Sequence, residues 1–195
     1  MRIAVLSIGD MGATVAAALQ EAGHQIAWLS ADRSQATRAR ADRLGLIELS
    51  DLAAVCACDA VVSVCPPHRA LEVAASVFGA GFTGLYLDAN AVSPATMEEI
   101  AGHAGAATLV DGGIIGGATR QAGRTHLHLS GSTAQEALAL FDGGFLVGHV
   151  VDDRVGSASA LKMAYAAWTK GTIALLASVR ALAVANGVES QLLAQ

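Results

Sequence analysis

From residue 3 onward, short apolar runs alternate with helix-length segments, and this alternation limits the chain to an α/β fold with a parallel sheet covered on both faces. The first run is IAVLS, followed by a helix through ATVAAALQEAG; the second is HQIAWLS, followed by QATRARADRLG. After a short LIEL segment come DAVVSV, a helix through RALEVAASVFG, then GLYLDA and ATLVDG, separated by a helix opening at Ser93-Pro94. Pro94 suits a first helical turn, where no N–H is needed. Most of these runs lack polar alternation, as strands buried on both faces do. THLHLSG alternates, so His126 and His128 are expected on one face of a half-exposed strand.

The last segment is different. SASALKMAYAAWTKGTIALLASVRALAVA, Ser157 to Ala185, is predicted as one long helix stopped near Gly187, with apolar residues on more than one face. Such a helix is expected to be buried on several sides. The chain is therefore divided into residues 1–155, a Rossmann doubly wound, mainly parallel domain, and residues 156–195, a long interdomain helix. That helix either begins an all-α second domain which a fragment of this length largely lacks, or packs in a homodimer.

Composition narrows the function. Hydrophobic residues make up 53% and charged residues 15%, enough apolar material for a large core. The net charge of −5 gives no basic excess to draw nucleic acid. Mean hydropathy is high, +0.49, but Arg180 interrupts the longest apolar stretch, so no membrane span is expected and the cytoplasm is the expected location. Cys56, Cys58 and Cys65 are odd in number and clustered, as reduced thiols rather than a disulfide framework would be. Cys65 and His68 lack a second ligand pair, so no metal is expected.

After the first strand stands Ser7-Ile8-Gly9-Asp10-Met11-Gly12, where a dinucleotide fold places its G-x-G-x-x-G turn. The chemistry needs a tight bend, a close backbone approach to a diphosphate and a helix N-terminus. Gly9 is assigned the approach and Gly12 the helix–strand contact. Ser7 replaces the first glycine and is expected to keep φ negative. At the end of the second strand, Asp32 lies at the spacing for a ribose hydroxyl of NAD, whereas Ser30, Arg33 and Ser34, with Arg38, Arg40 and Arg43 nearby, favour a 2′-phosphate and hence NADP. The alternative is a solvated helix face and an ordinary βα turn.

These residues resemble the β-hydroxyacid dehydrogenase and 6-phosphogluconate dehydrogenase superfamily over nearly the whole chain. The family's G-x-G-x-M-G loop is similar to SIGDMG, and the segment after its fourth strand to SVCPPHRA. The resemblance implies that Gly9, Asp10, Met11, Gly12, Val64, Cys65 and Pro66 border the cofactor. DANAVSP is similar to the segment near the nicotinamide ribose and implies a contact from Asn90. The family's glycine-rich substrate loop corresponds to DGGIIGG, Asp111 to Gly117, where amides of Gly112, Gly113 and Gly116 would meet substrate oxygens; alternatively these glycines only shape a turn. The G-x-G-x-x-x-K helix start corresponds to Gly156 through Lys162. Two departures bear on the substrate: Ile115 stands for a serine of that loop, and Tyr165-Ala166 for two asparagines beyond the lysine.

Lys162 stands out without the family. The chain has two lysines, Lys162 and Lys170, both in its most apolar helix. A buried ammonium needs a partner, a cleft or a lowered pKa, each suited to proton transfer at a carbonyl. Lys162 is the expected acid/base, with Tyr165 three residues on to orient substrate or relay a proton. Lys170 reads as a surface lysine, or as a second charge in the site. Trp28 and Trp168 read as core residues. His24 is expected to close the turn before the second strand, and His103 and His149 have no recognisable partners. The expected activity is NADP-dependent hydride transfer to or from a small hydroxy or keto acid, phosphorylated or not. The alternatives are reduction of an imine, or an NADP-binding module without turnover.

Overall fold

The computed structural model describes residues 1–195. The predicted strands form as β1 (Arg2–Leu6), β2 (Gln25–Leu29), β3 (Ile47–Leu49), β4 (Ala60–Ser63), β5 (Leu85–Asp88), β6 (Thr108–Gly116) and β7 (Thr125–Ser130). An eighth strand, β8 (Val147–Val150), lies within the apolar run FLVGHVV, which is not among the predicted strands. Helices α1 (Asp10–Glu21), α2 (Gln35–Leu44), α3 (Leu52–Cys56), α4 (Ala70–Gly79), α5 (Pro94–His103), α6 (Ala134–Ala139), α7 (Ser157–Ala185) and α8 (Glu189–Leu193) complete the chain.

The sheet runs β3-β2-β1-β4-β5-β6-β7-β8. Every neighbouring pair is parallel except β6–β7, which is antiparallel. Strand order reverses direction between β1 and β4, and a crevice opens beyond the carboxyl ends of the strands at such a point. Alternate residues of β1 feed two cores: Ile3 and Val5 pack with α1 and α6, Ala4 and Leu6 with α3, α4 and α5. Trp28 belongs to the first, 3% exposed.

Local signals set the helix ends. Ser34, Asp51 and Ser93 cap α2, α3 and α5, each accepting a hydrogen bond from the backbone N–H three residues on. Pro94 occupies the first turn of α5. Helix α1 has no side-chain cap, so its N-terminal amides stay open toward the crevice.

Helix α7 departs from expectation. It spans Ser157–Ala185, but within it only Ser157, Ala158, Ser159 and Ala183 are buried. Trp168 is 70% exposed rather than core, and Ile173, Leu175, Leu176 and Leu182 stand in the open. The first turns dock on β6 and β7; beyond them the helix leaves the sheet, and its far half is met only by α8. No helix is long and apolar enough to cross a membrane. The three cysteines are free, and no group of three or more ligating side chains converges on a metal position.

Candidate functional site

The turn after β1 is tighter than its sequence suggests. A Cβ added to Gly12 would stand 1.9 Å from the Ser7 carbonyl oxygen, so no larger residue fits there without moving the bend. The bend requires a positive φ at its first position, and Ser7 takes it, φ 110°, correcting the expectation of a negative φ. A Cβ on Gly9 would meet nothing within 4 Å: it faces open space in front of the uncapped α1. A bare backbone cradle before a helix N-terminus is the arrangement that receives a diphosphate.

This bend is one wall of a cleft of about 350 Å³, lined also by Asp10 and Met11, by Val64, Cys65, Pro66 and Pro67 after β4, by Ala89, Asn90 and Ala91 after β5, and by Ile114, Gly116 and Lys162. The residues after β4 and β5 thus meet the phosphate loop across the switch point.

Asn90 lies on the cleft, but its amide is committed. Oδ1 accepts from the Cys65 N–H at 2.6 Å, and Nδ2 donates to Ser63 Oγ at 3.0 Å. Asn90 therefore fastens the β4 loop to the β5 loop, a different task from the expected contact with a ribose. Burial pushes the Cys65 thiol up, away from thiolate chemistry.

The glycine-rich segment is not a loop. Asp111 to Gly116 lie in β6, paired along their length with β7. Gly112 packs against Leu87 and Ala89, and a Cβ on Gly113 would come within 2.8 Å of the Ala158 carbonyl oxygen and 3.2 Å of Lys162 Cβ. Gly113 makes a seat for α7 and Gly112 lets the end of β5 approach, tasks different from the expected contacts to substrate oxygens. Gly116, φ 126°, is the one of the three on the cleft.

At the end of β2 the expected residues separate. Ser30 is buried and its hydroxyl turns to the Leu49 carbonyl at 3.4 Å, away from any phosphate position. Ser34 caps α2. Asp32 sits exposed in a left-handed turn, φ 55°. Arg33 donates from Nε to the Leu29 carbonyl, and no hydrogen bond within the chain uses its terminal nitrogens. It lines a cavity of about 170 Å³ with Leu6, Leu29, Val73 and Arg69. Arg38 is taken up by the Ser30 carbonyl and Glu48, and Arg40 by Asp10 at 2.8 Å.

Lys162 is held by β6. Its Nζ donates to the Ile114 carbonyl at 2.5 Å, and no ion pair in the structure involves either lysine. Burial, with a smaller contribution from the Lys170 charge, lowers the Lys162 pKa. Lys162 also lines a second cavity, of about 410 Å³, with Pro67, Ala91, Met163, Tyr165, Ala166, Thr169 and Lys170. Pro67, Ala91 and Lys162 belong to both walls, so the cleft opens into this cavity at the lysine. Tyr165 is 37% exposed and meets Trp168 edge to face, centroids 6.2 Å apart.

Sequence reasoning missed what holds α7 there. Asp111, fully buried, accepts from Ser130 Oγ (3.0 Å), the Gly156 N–H (3.0 Å), the Ser159 N–H (2.9 Å) and Ser159 Oγ (2.6 Å). Ser130 Oγ in turn accepts from the Ala158 N–H at 2.9 Å. A carboxylate from β6 and a hydroxyl from β7 thus cap α7, whose own N-cap is Gly156. Asp88, in register with Asp111 on the next strand, is also fully buried, but its Oδ2 has no partner. Burial pushes its pKa up to about 6. Away from the site, His149 proves to have partners: its Nε2 lies 3.0 Å from His126 Nδ1, and its ring stacks on His128.

The family model described as NADP oxidoreductase coenzyme F420-dependent matches residues 2–84. An uncharacterized 28.5 kDa protein of Methanothermus fervidus, encoded in the 7S RNA 5′ region, is 30% identical over 194 residues, 99% of this chain and 75% of that one. Among solved structures, the conserved protein MTH1747, of unknown function and structurally similar to 3-hydroxyacid dehydrogenases, superposes with a TM-score of 0.85. It is 29% identical, over 98% of this chain and 73% of that one. An imine reductase variant from Myxococcus stipitatus in complex with NAD+ shares the fold, with TM-score 0.81, 22% identity, and 96% and 67% of the two chains covered. The chain belongs to the 6-phosphogluconate dehydrogenase-like NAD(P)-binding superfamily.

Proposed function

We propose that the chain is an NADP-dependent oxidoreductase acting on a small hydroxy or keto acid, with Lys162 as its acid/base. The observation that carries the reading is the position of Lys162 on the wall shared by the phosphate-loop cleft and the second cavity.

The residues fit the cofactor. The α1 amides and Gly9 would take the diphosphate, and Val64, Cys65, Pro66 and Ala89 would border the nicotinamide half. Leu6, Leu29 and Val73, between Arg33 and Arg69, would receive the flat base. The unpartnered terminal nitrogens of Arg33 favour a 2′-phosphate over a bare ribose, and Asp32, exposed in its turn, does not oppose one. When bound, the nicotinamide supplies or accepts the hydride.

Lys162 does the proton work. Its Nζ is fixed by the Ile114 carbonyl, which leaves its remaining protons directed at whatever enters the second cavity. There it donates to a carbonyl oxygen during reduction and receives the proton back during oxidation. Its lowered pKa makes the ammonium a readier proton donor. Tyr165 lines the same cavity within one helical turn and orients the substrate.

The test is a titration with NADPH and NADH side by side, then turnover of a carbonyl and imine panel by the wild type and Lys162→Met. NADPH binds in preference, and the substitution lowers turnover by about 10²–10⁴-fold while leaving NADPH affinity within a factor of two or so. Wild-type turnover in Lys162→Met would remove the lysine from the chemistry. Failure of both cofactors to bind would remove the whole reading.

A further inference from the structure

Asp88 and Asp111 are paired in register on β5 and β6, and both are fully buried, yet the protein provides donors for only one of them. Asp111 has four and ties α7 to the sheet. Asp88 receives one, from the Asn90 N–H, and its second oxygen has none. No ion pair includes it. The charge that acts on it is that of Asp111, which opposes its own. Its side of the sheet is the core under α4 and α5, to which Tyr86, two residues earlier, belongs. The other titratable groups there are neutral, because burial pushes the Cys65 thiol and the Tyr86 hydroxyl up. The charged residues of α4 and α5, Glu72, Glu98, Glu99 and His103, are exposed to solvent. Asp88 is therefore an uncompensated acid in a dry place, and the fold makes no use of its charge.

The site gives that charge a use. The next residues, Ala89, Asn90 and Ala91, line the phosphate-loop cleft, so Asp88 stands one residue behind the wall assigned above to the nicotinamide half. The two forms of a nicotinamide cofactor differ there by one charge: the oxidised ring is a cation and the reduced ring is neutral. We propose that Asp88 is the group by which the protein distinguishes oxidised from reduced cofactor, its buried carboxylate favouring the cationic ring. The proposal rests on the oxidoreductase reading and adds to it a charge that acts through the wall of the cleft. Two unit charges within about 10 Å of each other in a protein interior alter an equilibrium by roughly an order of magnitude. A carboxylate already surrounded by donors, as Asp111 is, has its charge answered locally; the orphaned oxygen of Asp88 does not. Burial raises the Asp88 pKa to about 6, so the carboxylate is neutral below that pH and ionised above it. Discrimination is therefore switched on as pH rises. Once hydride has reached the ring the attraction is gone, and the ionised carboxylate eases loss of the reduced form; Asp88 itself exchanges only a proton.

The experiment measures Kd for NADPH and for NADP+ side by side, between about pH 5 and pH 8, on the wild type and Asp88→Asn. The amide keeps an oxygen for the Asn90 N–H and cannot ionise. In the wild type the ratio of the NADPH Kd to the NADP+ Kd rises by roughly 3–30-fold across this range, whereas in Asp88→Asn it stays at its low-pH value. The ratio cancels the 2′-phosphate, which titrates in the same range but is common to both forms. Lys162, whose cation opposes the oxidised ring, is present in both proteins, so its titration moves both ratios alike. A second measurement needs no variant: calorimetry in buffers of different ionisation enthalpy counts the protons exchanged on binding. Near the midpoint of the titration, the wild type takes up more protons with NADPH than with NADP+. A wild-type ratio that is flat with pH, a ratio that rises equally in Asp88→Asn, or equal proton counts for the two forms overturns the proposal and leaves the oxidoreductase reading standing. Failure of both forms to bind removes that reading, and the proposal with it.

Discussion

The two ends of the cleft are built on opposite principles. The phosphate-loop end is made by consecutive residues: Ser7 to Gly12 bend over one another, and the clash that forbids a side chain at Gly12 comes from the carbonyl of Ser7. The lysine end is assembled from distant parts. Lys162 meets Ile114, and Ser159 meets Asp111, across a separation of 48 residues in both cases. A local bend persists as long as its own backbone is allowed. The lysine end persists only while α7 stays seated on β6 and β7, so it is the end that a single buried substitution can dismantle.

Asp111→Ala is the largest expected break. It leaves the Ser130 and Ser159 hydroxyls and the Gly156 and Ser159 amides without their acceptor, in a place water does not reach. Each buried donor left without its acceptor costs ~1–3 kcal/mol, so several together give a loss of roughly 3–5 kcal/mol. Urea unfolding should show a loss of that order, and protein that stays folded should bind NADPH while turning over poorly. A loss below about 1 kcal/mol would show that α7 is seated by packing on Gly113 and not by the carboxylate.

The same contrast decides what could be foreseen from the chain. The strands, the first helices and the tight turn after β1 are legible because each rests on a short pattern: an apolar run, a Ser–Pro start, a glycine spacing. The reading of DGGIIGG as a loop failed because glycines mark close packing as well as turns; Gly113 is small because α7 lies on it. Ser7 failed because a serine gives no sign of a positive φ. Asp111 and Asp88 gave no signal, since a buried carboxylate is recognised only by the donors that topology brings to it. Strand β8, at the sheet edge, sits in the apolar run FLVGHVV, but Gly148 and His149 interrupt that run and hide it as a strand. For α7 the sequence correctly indicates a long helix, yet hydrophobicity alone did not reveal that its far half leaves the sheet.

Asp88 sharpens the comparison from the next strand. It shares a register with Asp111 but receives only the Asn90 N–H, at 3.0 Å, and its second oxygen has none. Burial therefore raises its pKa from 3.8 to about 6. A group whose pKa is raised on folding adds stability that is fully present below the unfolded value and is lost as pH rises through the folded one. Stability contributed by Asp88 should thus fall between about pH 4 and pH 6 and stay low above it. Asp88→Asn removes the titration while keeping an oxygen for the Asn90 amide. At pH 7.5 it should be more stable than the wild type by up to roughly 3 kcal/mol, and at pH 4 the two should converge. A gap that does not change with pH would mean that folding leaves the Asp88 pKa at its unfolded value.

At the phosphate-loop end the corresponding probe is Ser7→Gly, with the smallest effect. Ser7 holds φ 110° without a hydrogen bond from its hydroxyl to compensate. Backbone strain of this kind costs on the order of 1–3 kcal/mol in a residue with a Cβ. Glycine removes the strain but loses more entropy on folding, about 0.5–1 kcal/mol. The net expectation is a gain near 1 kcal/mol, or a rise in Tm of roughly 2–4 °C for a domain of this size. NADPH affinity should stay the same, because the amides proposed to take the diphosphate belong to Gly9 and the first turn of α1. If Ser7→Gly instead weakens NADPH several-fold, the hydroxyl itself reaches the cofactor, and this end of the cleft depends on a side chain as much as the lysine end does.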